Sequence, residues 1–177
     1  MNHLALLTSL LFQVFGWHLA RAKCGAAIIV ALIKVRTVNL TDLATALPGK
    51  AKVDSKYKRL QRFFKEVSLD FRLVAKLIVS WLPEGPWILA MDRTNWMIGQ
   101  WSINILYLAI VYNGVAIPIL WNCLPKKGNS NTTERIALMN HFLAIFGIDK
   151  IDYLVVDREF VGGEWISYLI ESEQTTA

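Results

Sequence analysis

Residues 87 to 92 read Trp87-Ile88-Leu89-Ala90-Met91-Asp92, an apolar run of strand length that ends in a carboxylate. A second run of the same kind, Tyr153-Leu154-Val155-Val156-Asp157, follows about 65 residues later. Short apolar runs bounded by turn signals are typical of buried strands. Two strands that each deliver an aspartate at the same end predict a carboxylate pair.

The segment between the two runs predicts how they meet. Residues 103 to 112 and 115 to 121 read as two strands joined by Asn113-Gly114, a strong hairpin signal. A capped helix is expected over about 132 to 146. A right-handed crossover through this helix returns the last strand parallel to the first and beside it. The two aspartates are then expected at one edge of the sheet, where ligands of open α/β sheets bind.

The first part of the chain predicts helices. Apolar residues recur at three and four positions from Leu4 to about Val35, which predicts two helices separated near Arg21 to Gly25. A short helix is expected before Pro48-Gly49, and another over 69 to 82. The Pro/Gly cluster after it predicts a domain boundary. The expected division is a helical region over 1–83, an α/β region over 87–171 and a polar tail over 172–177.

The helical region contains a basic stretch from Lys50 to Lys65. Residues 1 to 70 carry 11 Lys/Arg against 4 Asp/Glu, whereas the rest of the chain carries 8 against 10. Asp54 or Ser55 is expected to cap an amphipathic helix whose cations contact DNA phosphates. A solvated amphipathic helix is the alternative. The cations assigned to the interface are Lys50, Lys52, Lys56, Lys58, Arg59, Arg62 and Lys65.

A mean hydropathy of +0.37 raises the question of a membrane span. Residues 105 to 121 approach span length, but Asn113-Gly114 in their middle predicts two strands instead. The isolated Cys24 and Cys123 favour small buried residues in a reducing compartment over a disulfide. We therefore expect a cytoplasmic protein with no membrane partner, and a small membrane protein is the alternative.

Two adjacent aspartates suit divalent metal chemistry. Carboxylate oxygens are hard ligands, and Mg²⁺ usually takes one or two carboxylates together with substrate phosphate oxygens. Two such metals can clamp the attacking and leaving oxygens of a phosphodiester displacement. An aspartate at a strand end is also a common turn or cap residue, so each one alone has a structural alternative.

Four motifs in the chain form a set: Lys58-Arg59-Leu60-Gln61-Arg62-Phe63-Phe64, Asp92-Arg93-Thr94-Asn95-Trp96, Pro125-Lys126-Lys127-Gly128-Asn129-Ser130-Asn131 and Asp157-Arg158-Glu159-Phe160. Together they resemble DDE transposases of the bacterial insertion-sequence-four family, and the resemblance extends to about Glu171. It implies an α/β fold, with a helical N-terminal region over 1–83 that binds DNA, followed by an incomplete RNase H-like mixed sheet with flanking helices, which forms a partial catalytic domain over 87–171. It further implies that DNA ends are cut and joined with Mg²⁺ or Mn²⁺.

The resemblance also implies roles for single residues. Carried over by position, Asp92 and Asp157 are the first two catalytic carboxylates and the metal ligands. The implied partners are DNA at insertion-sequence ends and a second copy or a full-length transposase. DNA backbone contacts near the site are implied, with a structural role as the alternative, for Arg93, Asn95, Lys126, Lys127 and Asn129.

The family pattern includes a third acidic residue, a glutamate in a Tyr/Arg/Glu/Lys signature on a downstream helix. Glu164, Glu171 and Glu173 lie on or just after the predicted helix that follows Asp157, but no such signature surrounds them. We therefore expect a transposase fragment that is catalytically incomplete and whose last strand presents an apolar edge. The alternative is a non-catalytic DNA-binding protein that competes with a full-length transposase.

Overall fold

The computed structural model describes residues 3 to 160 and 162 to 174, and the chain divides between Leu73 and Val74 into a helical unit and a sheet unit. This division lies before the predicted Pro/Gly linker at residues 83 to 86. The reason is packing, because Ala75 is fully buried in the core of the sheet unit. The mixed α/β class predicted from the sequence is confirmed.

Four helices build the helical unit, and a fifth spans its boundary with the sheet unit. Apolar side chains of α2, α3 and α4 share one core, in which Leu43, Ala44 and Leu60 are buried. A second cluster includes Leu11 and Trp17. The helices are α1 (His3–Phe15), α2 (Leu19–Val35), α3 (Leu40–Ala46), α4 (Val53–Glu66) and α5 (Phe71–Val79).

The break between α1 and α2 corrects the prediction. It lies at residues 16 to 18, where Gly16 has a φ of 61°, and not near Arg21 to Gly25. Gly25 instead serves close packing inside α2, since a Cβ atom there would lie 3.0 Å from the Trp17 ring. Gly25 therefore allows close packing within the helix and does not end it.

Two other helix boundaries also differ from prediction. Helix α4 begins at Val53, and its N-cap Lys52 makes no side-chain capping hydrogen bond, so neither Asp54 nor Ser55 is the cap. Helix α5 is shorter at both ends than the predicted 69 to 82.

The sheet unit contains a four-stranded mixed sheet in the order β3-β2-β1-β4. The first three strands form an antiparallel meander, and β4 returns parallel to β1 after a helical crossover, as predicted. Asn113 and Gly114 adopt φ values of 50° and 75° in the predicted hairpin turn. The elements are β1 (Trp87–Ile98), β2 (Trp101–Tyr112), β3 (Val115–Leu124), α6 (Thr132–Phe146), β4 (Ile151–Val156) and α7 (Gly163–Gln174).

One face of the sheet carries the core of this unit. Leu89 and Met91 of β1 and Leu108 of β2 are buried there together with Phe142 of α6 and Trp165 of α7. As predicted, Gly147 ends α6. Helix α7 continues to Gln174, so residues 172 to 174 are not an irregular tail, and residues 175 to 177 lie outside the described part.

Strand β1 is longer than predicted. It does not end at Met91 but continues to Ile98 and turns at Gly99-Gln100 into β2. Strand β4 has six residues, Ile151–Val156, and within the described sheet it forms one edge, where Tyr153 and Val155 are exposed. An apolar edge was predicted for this strand, whereas the self-association it suggests stays a prediction.

The possible membrane span at residues 105 to 121 folds as parts of β2 and β3, as the Asn113-Gly114 turn predicted, and does not form a single helix. Within residues 3 to 160 and 162 to 174, no single helix has the length and apolarity to cross a membrane; α2 and α3 together meet the criterion but are bent by 104°. Both cysteines are free, and the predicted burial of Cys123 is wrong because its side chain is exposed.

Candidate functional site

The sheet brings the two predicted aspartates to neighbouring positions. The parallel pairing of β1 and β4 has its last paired residues at Met91 and Val156, so Asp92 and Asp157 are the next residues on adjacent strands. Neighbouring strands lie about 4.8 Å apart, and equivalent positions point to the same face. Both aspartates are exposed. The predicted pair is therefore formed, although Asp92 lies within its strand and Asp157 follows its own.

Each carboxylate is oriented by the backbone that follows it. Oδ1 of Asp92 accepts a hydrogen bond from the Arg93 N–H at 2.7 Å, and Oδ1 of Asp157 accepts one from the Arg158 N–H at 2.6 Å. The two aspartates therefore share one local geometry. A backbone hydrogen bond on one oxygen limits rotation of each carboxylate while its other lone pairs keep their acceptor capacity.

Asp92 has a second partner that the sequence did not suggest. Tyr107 is its direct cross-strand neighbour on β2, and the phenol donates to Oδ2 of Asp92 at 3.1 Å. Burial raises the pKa of Tyr107, and the negative charge of Asp92 and this hydrogen bond raise it further. Tyr107 therefore stays protonated and remains a donor at neutral pH.

The turn that carries Asp157 is held by two arginines. Arg93 of β1 donates from Nε to Oε1 of Glu159 at 3.4 Å. Arg135 of α6 donates to the Glu159 carbonyl oxygen at 3.3 Å, and its guanidinium carbon lies 4.7 Å from the centroid of the Phe160 ring. Because these contacts come from a strand and from a helix, they fix the position of the turn relative to both.

Arg93 connects this turn to the loop of residues 125 to 131. Its side chain is only 12% exposed, and its guanidinium also donates to Oδ1 of Asn104 at 3.5 Å and to Oδ1 of Asn129 at 3.0 Å. Arg93 and Asn129, which were assigned to DNA contacts, are thus brought together as partners of each other. The structural alternative stated for them has direct geometric support.

Asn104, like Tyr107, is a polar residue of this region that was not predicted from the sequence. Its side chain is 1% exposed, and Nδ2 donates to the carbonyl oxygens of Lys126 at 3.0 Å and Gly128 at 2.8 Å. Asn104 therefore holds the loop of residues 125 to 131 against the sheet through buried hydrogen bonds. The sequence contained one signal for this role, because Asn104 lies within the otherwise apolar run Ile103-Asn104-Ile105-Leu106 and a buried polar group requires partners.

The remaining sequence-predicted residues near the pair differ in exposure. Lys126 forms an ion pair with Glu134, with 2.9 Å between Nζ and Oε2. Lys127 in the loop and Asn95 on β1 have exposed side chains. Of the five cations and amides assigned here to DNA contacts, Lys127, Asn95 and Asn129 are exposed, and Asn129 also accepts the hydrogen bond from Arg93.

Glu134 links the loop to the start of α6. It forms a capping box with Asn131, which is the N-cap of α6. Burial alone would raise the pKa of Glu134, but hydrogen bonds from Lys126 and from the Asn131 N–H, together with the positive charges of Lys126 and Arg135, lower the pKa below its usual value.

This lowered pKa predicts a pH dependence of stability. A carboxyl whose pKa is lower in the folded state stabilises the fold above its unfolded pKa, about 4.3 for glutamate, and this contribution is lost as the pH falls through the folded value. We expect Glu134→Gln to remove it. Urea denaturation at pH 7 and near pH 3 measures the effect, and an unchanged pH dependence in the variant would contradict it.

The chemistry of the pair fits a hard divalent cation. Two exposed carboxylates on adjacent strands offer the oxygen ligands that Mg²⁺ and Mn²⁺ prefer. Among the described residues, no group of three or more His, Cys, Asp or Glu side chains is arranged to hold a metal. Asp92 and Asp157 would therefore hold a metal as two protein ligands.

The second candidate surface lies in the helical unit, on α4 and the segment before it. Lys50 and Lys52 are exposed in that segment, and Lys58, Arg62 and Lys65 are exposed along the helix. Five cations therefore share an accessible surface with few acids. Arg59 is exposed as well and lies close enough to Cys24 that its charge opposes the rise in the thiol pKa caused by burial.

Lys56 is the exception among the predicted DNA contacts. It is 7% exposed, and its Nζ donates to the Leu47 carbonyl oxygen at 2.7 Å. Lys56 therefore ties α4 to the end of α3 and is not part of the exposed basic surface. The sequence pattern assigned it with its neighbours because charge alone does not reveal which face of a helix is buried.

Comparison with known proteins finds no relative. No family model matches the sequence, and neither a curated protein nor a solved structure is significantly similar to this chain. The resemblance to DDE transposases therefore stays a prediction that rests on the four motifs.

Proposed function

We propose that this chain takes part in DNA transposition as a DDE-type transposase segment. In this proposal the helical unit binds DNA, and the sheet unit is an RNase H-like domain in which Asp92 and Asp157 bind Mg²⁺ or Mn²⁺. The observation that carries the proposal is the position of the two aspartates, one residue beyond the last paired residues of adjacent parallel strands. The meander and parallel fourth strand support the RNase H-like assignment.

The roles of the residues follow from their contacts. Asp92 and Asp157 would hold the metal, which when bound supplies a charge that stabilises phosphodiester displacement. Tyr107 keeps the Asp92 carboxylate in place, while Arg93 and Arg135 hold the turn that positions Asp157. Lys127 and Asn95 are exposed near this region and are suited to contact the DNA backbone.

A second candidate function is a DNA-binding protein that occupies the same ends without cutting them. Two observations favour it. The basic surface is exposed, and the proposed metal site has two carboxylates among the described residues. A two-metal site with two carboxylates is short of ligands. Binding of Mn²⁺ that is lost in Asp92→Asn favours the first function, whereas DNA binding by a chain that binds no Mn²⁺ at the aspartates favours the second.

Metal binding tests the proposed site directly. We expect the purified chain to bind Mn²⁺, and we expect Asp92→Asn and Asp157→Asn each to weaken this binding by about tenfold or more, since even residues behind the ligands contribute about 10- to 100-fold to metal affinity. Electron paramagnetic resonance of free Mn²⁺ during titration measures the change.

Asp152→Asn is the matched control. Asp152 is an exposed aspartate near the start of β4, whereas Asp157 follows the end of that strand. It should leave Mn²⁺ affinity unchanged. Equal affinities in wild type, Asp92→Asn and Asp157→Asn would reject the metal site. Melting temperatures of the variants separate a lost ligand from a lost fold.

A further inference from the structure

The exposed side of α4 carries a narrow strip of hydrogen-bonding side chains. Ser55, Lys58 and Arg62 are spaced by three and four residues, so they lie on one face of the helix. All three are exposed, whereas Leu60 and Lys56 on the opposite face are buried. The strip therefore faces solvent with donors and acceptors that no core contact requires.

Buried contacts on the opposite face hold α4, and therefore the strip, in place. Leu60 packs in the core formed with α2 and α3, which includes Leu43 and Ala44. The segment between α3 and α4, residues 47 to 52, has Gly49 at a φ of 98° and is fastened by the bond from Lys56 to the Leu47 carbonyl. Helices α3 and α4 are thus packed against one core and joined by a short connecting segment, residues 47 to 52.

We propose that α4 reads DNA sequence, with Ser55, Lys58 and Arg62 contacting base edges in the major groove. This inference rests on the proposed DNA binding of the helical unit and adds specificity to it. A helix about 10–12 Å in diameter fits the B-form major groove, which is about 12 Å wide. Arginine and lysine pair with guanine there, and serine accepts several bases.

The neighbouring cations have a different role in this arrangement. Lys50 and Lys52 precede the helix, and Lys65 lies near its C-terminal end, so they flank the strip along the helix axis. At these places they contact phosphates and set affinity and register without reading sequence. Base contacts and phosphate contacts are therefore divided between two sets of side chains that can be altered separately.

The experiment is a binding selection with the full chain and duplex DNA that carries a randomised segment of about two helical turns. Wild type should enrich a motif. Arg62→Lys keeps the charge but loses the planar fork, so we expect it to lose the preference at one or two positions and to bind the enriched duplex about tenfold or more weakly. Lys52→Ala should keep the motif, bind all duplexes more weakly and reduce the salt dependence by about one counterion.

The outcomes separate this inference from the function it rests on. Binding without any enriched motif, or a motif unchanged in both Arg62→Lys and Lys58→Ala, overturns sequence reading by α4 and leaves DNA binding intact. Absence of DNA binding overturns both. Equal competition by duplex RNA also overturns the inference, because the A-form major groove is too narrow for side chains to read. All substituted residues are exposed, and unchanged melting temperatures confirm that the variants fold.

Discussion

Asn104→Leu is expected to lower the free energy of unfolding of the sheet unit by about 3 kcal/mol. Leucine has the same branched side-chain skeleton as asparagine and a larger volume, so no cavity opens and the loss comes from the missing hydrogen bonds, with overpacking adding to it. The substitution leaves the Lys126 and Gly128 carbonyl oxygens without their shared donor and removes an acceptor from Arg93. Each buried group left without a partner costs about 1–3 kcal/mol.

Asn95→Leu is the matched control for this prediction. Asn95 is the direct cross-strand neighbour of Asn104 and is the same residue type, but its side chain is exposed. Its substitution should change the unfolding free energy by no more than about 0.5 kcal/mol. Urea denaturation followed by tryptophan fluorescence measures both variants. Faster hydrogen exchange in residues 125 to 131 of the Asn104 variant would show that the loop is released.

Leu60→Ala is expected to destabilise the helical unit by about 2–5 kcal/mol, the usual cost of a buried leucine truncated to alanine. Leu60 is fully buried at the junction of α2, α3 and α4, so the cavity opens where α4 is attached. Under the proposed function this variant also loses DNA affinity, since the cations of α4 no longer share a fixed surface. Hydrogen exchange of α4 amides together with urea denaturation measures the loss of stability.

The control for this change lies one helical turn further along. Phe64 is also a large apolar residue of α4, but it is 55% exposed. Phe64→Ala should therefore cost about 1 kcal/mol or less, in proportion to the smaller apolar area that it buries. Similar losses in the two variants would contradict the placement of Leu60 at the centre of the helical core.

Much of the sheet was predictable because its signals are local. The Asn113-Gly114 hairpin, the parallel return of β4 and the adjacency of Asp92 and Asp157 all follow from strand-length runs, one turn dipeptide and the handedness of crossovers. Boundaries were harder to predict. Strand β1 continues beyond Asp92 because antiparallel pairing with β2 holds it there, and that partner is not visible in the sequence of β1 alone.

The polar framework behind the aspartates was not predictable. Asn104, Glu159 and Asn129 meet at Arg93 although they come from three separate parts of the chain. The resemblance implied DNA contacts for Arg93 and Asn129, whereas the geometry gives them partners within the protein. Lys56 shows the same limit in the helical unit, since only packing distinguishes a buried lysine from an exposed one.

The separate cores of the two units have an evolutionary consequence. The exposed strip of α4 shares no core residue with the sheet, whose stability depends on its own cluster around Leu108 and Phe142. Under the proposed function, substitutions at Ser55, Lys58 or Arg62 change the choice of DNA site without altering the sheet that carries the aspartates. A lineage can therefore diversify its targets while its chemistry stays constant.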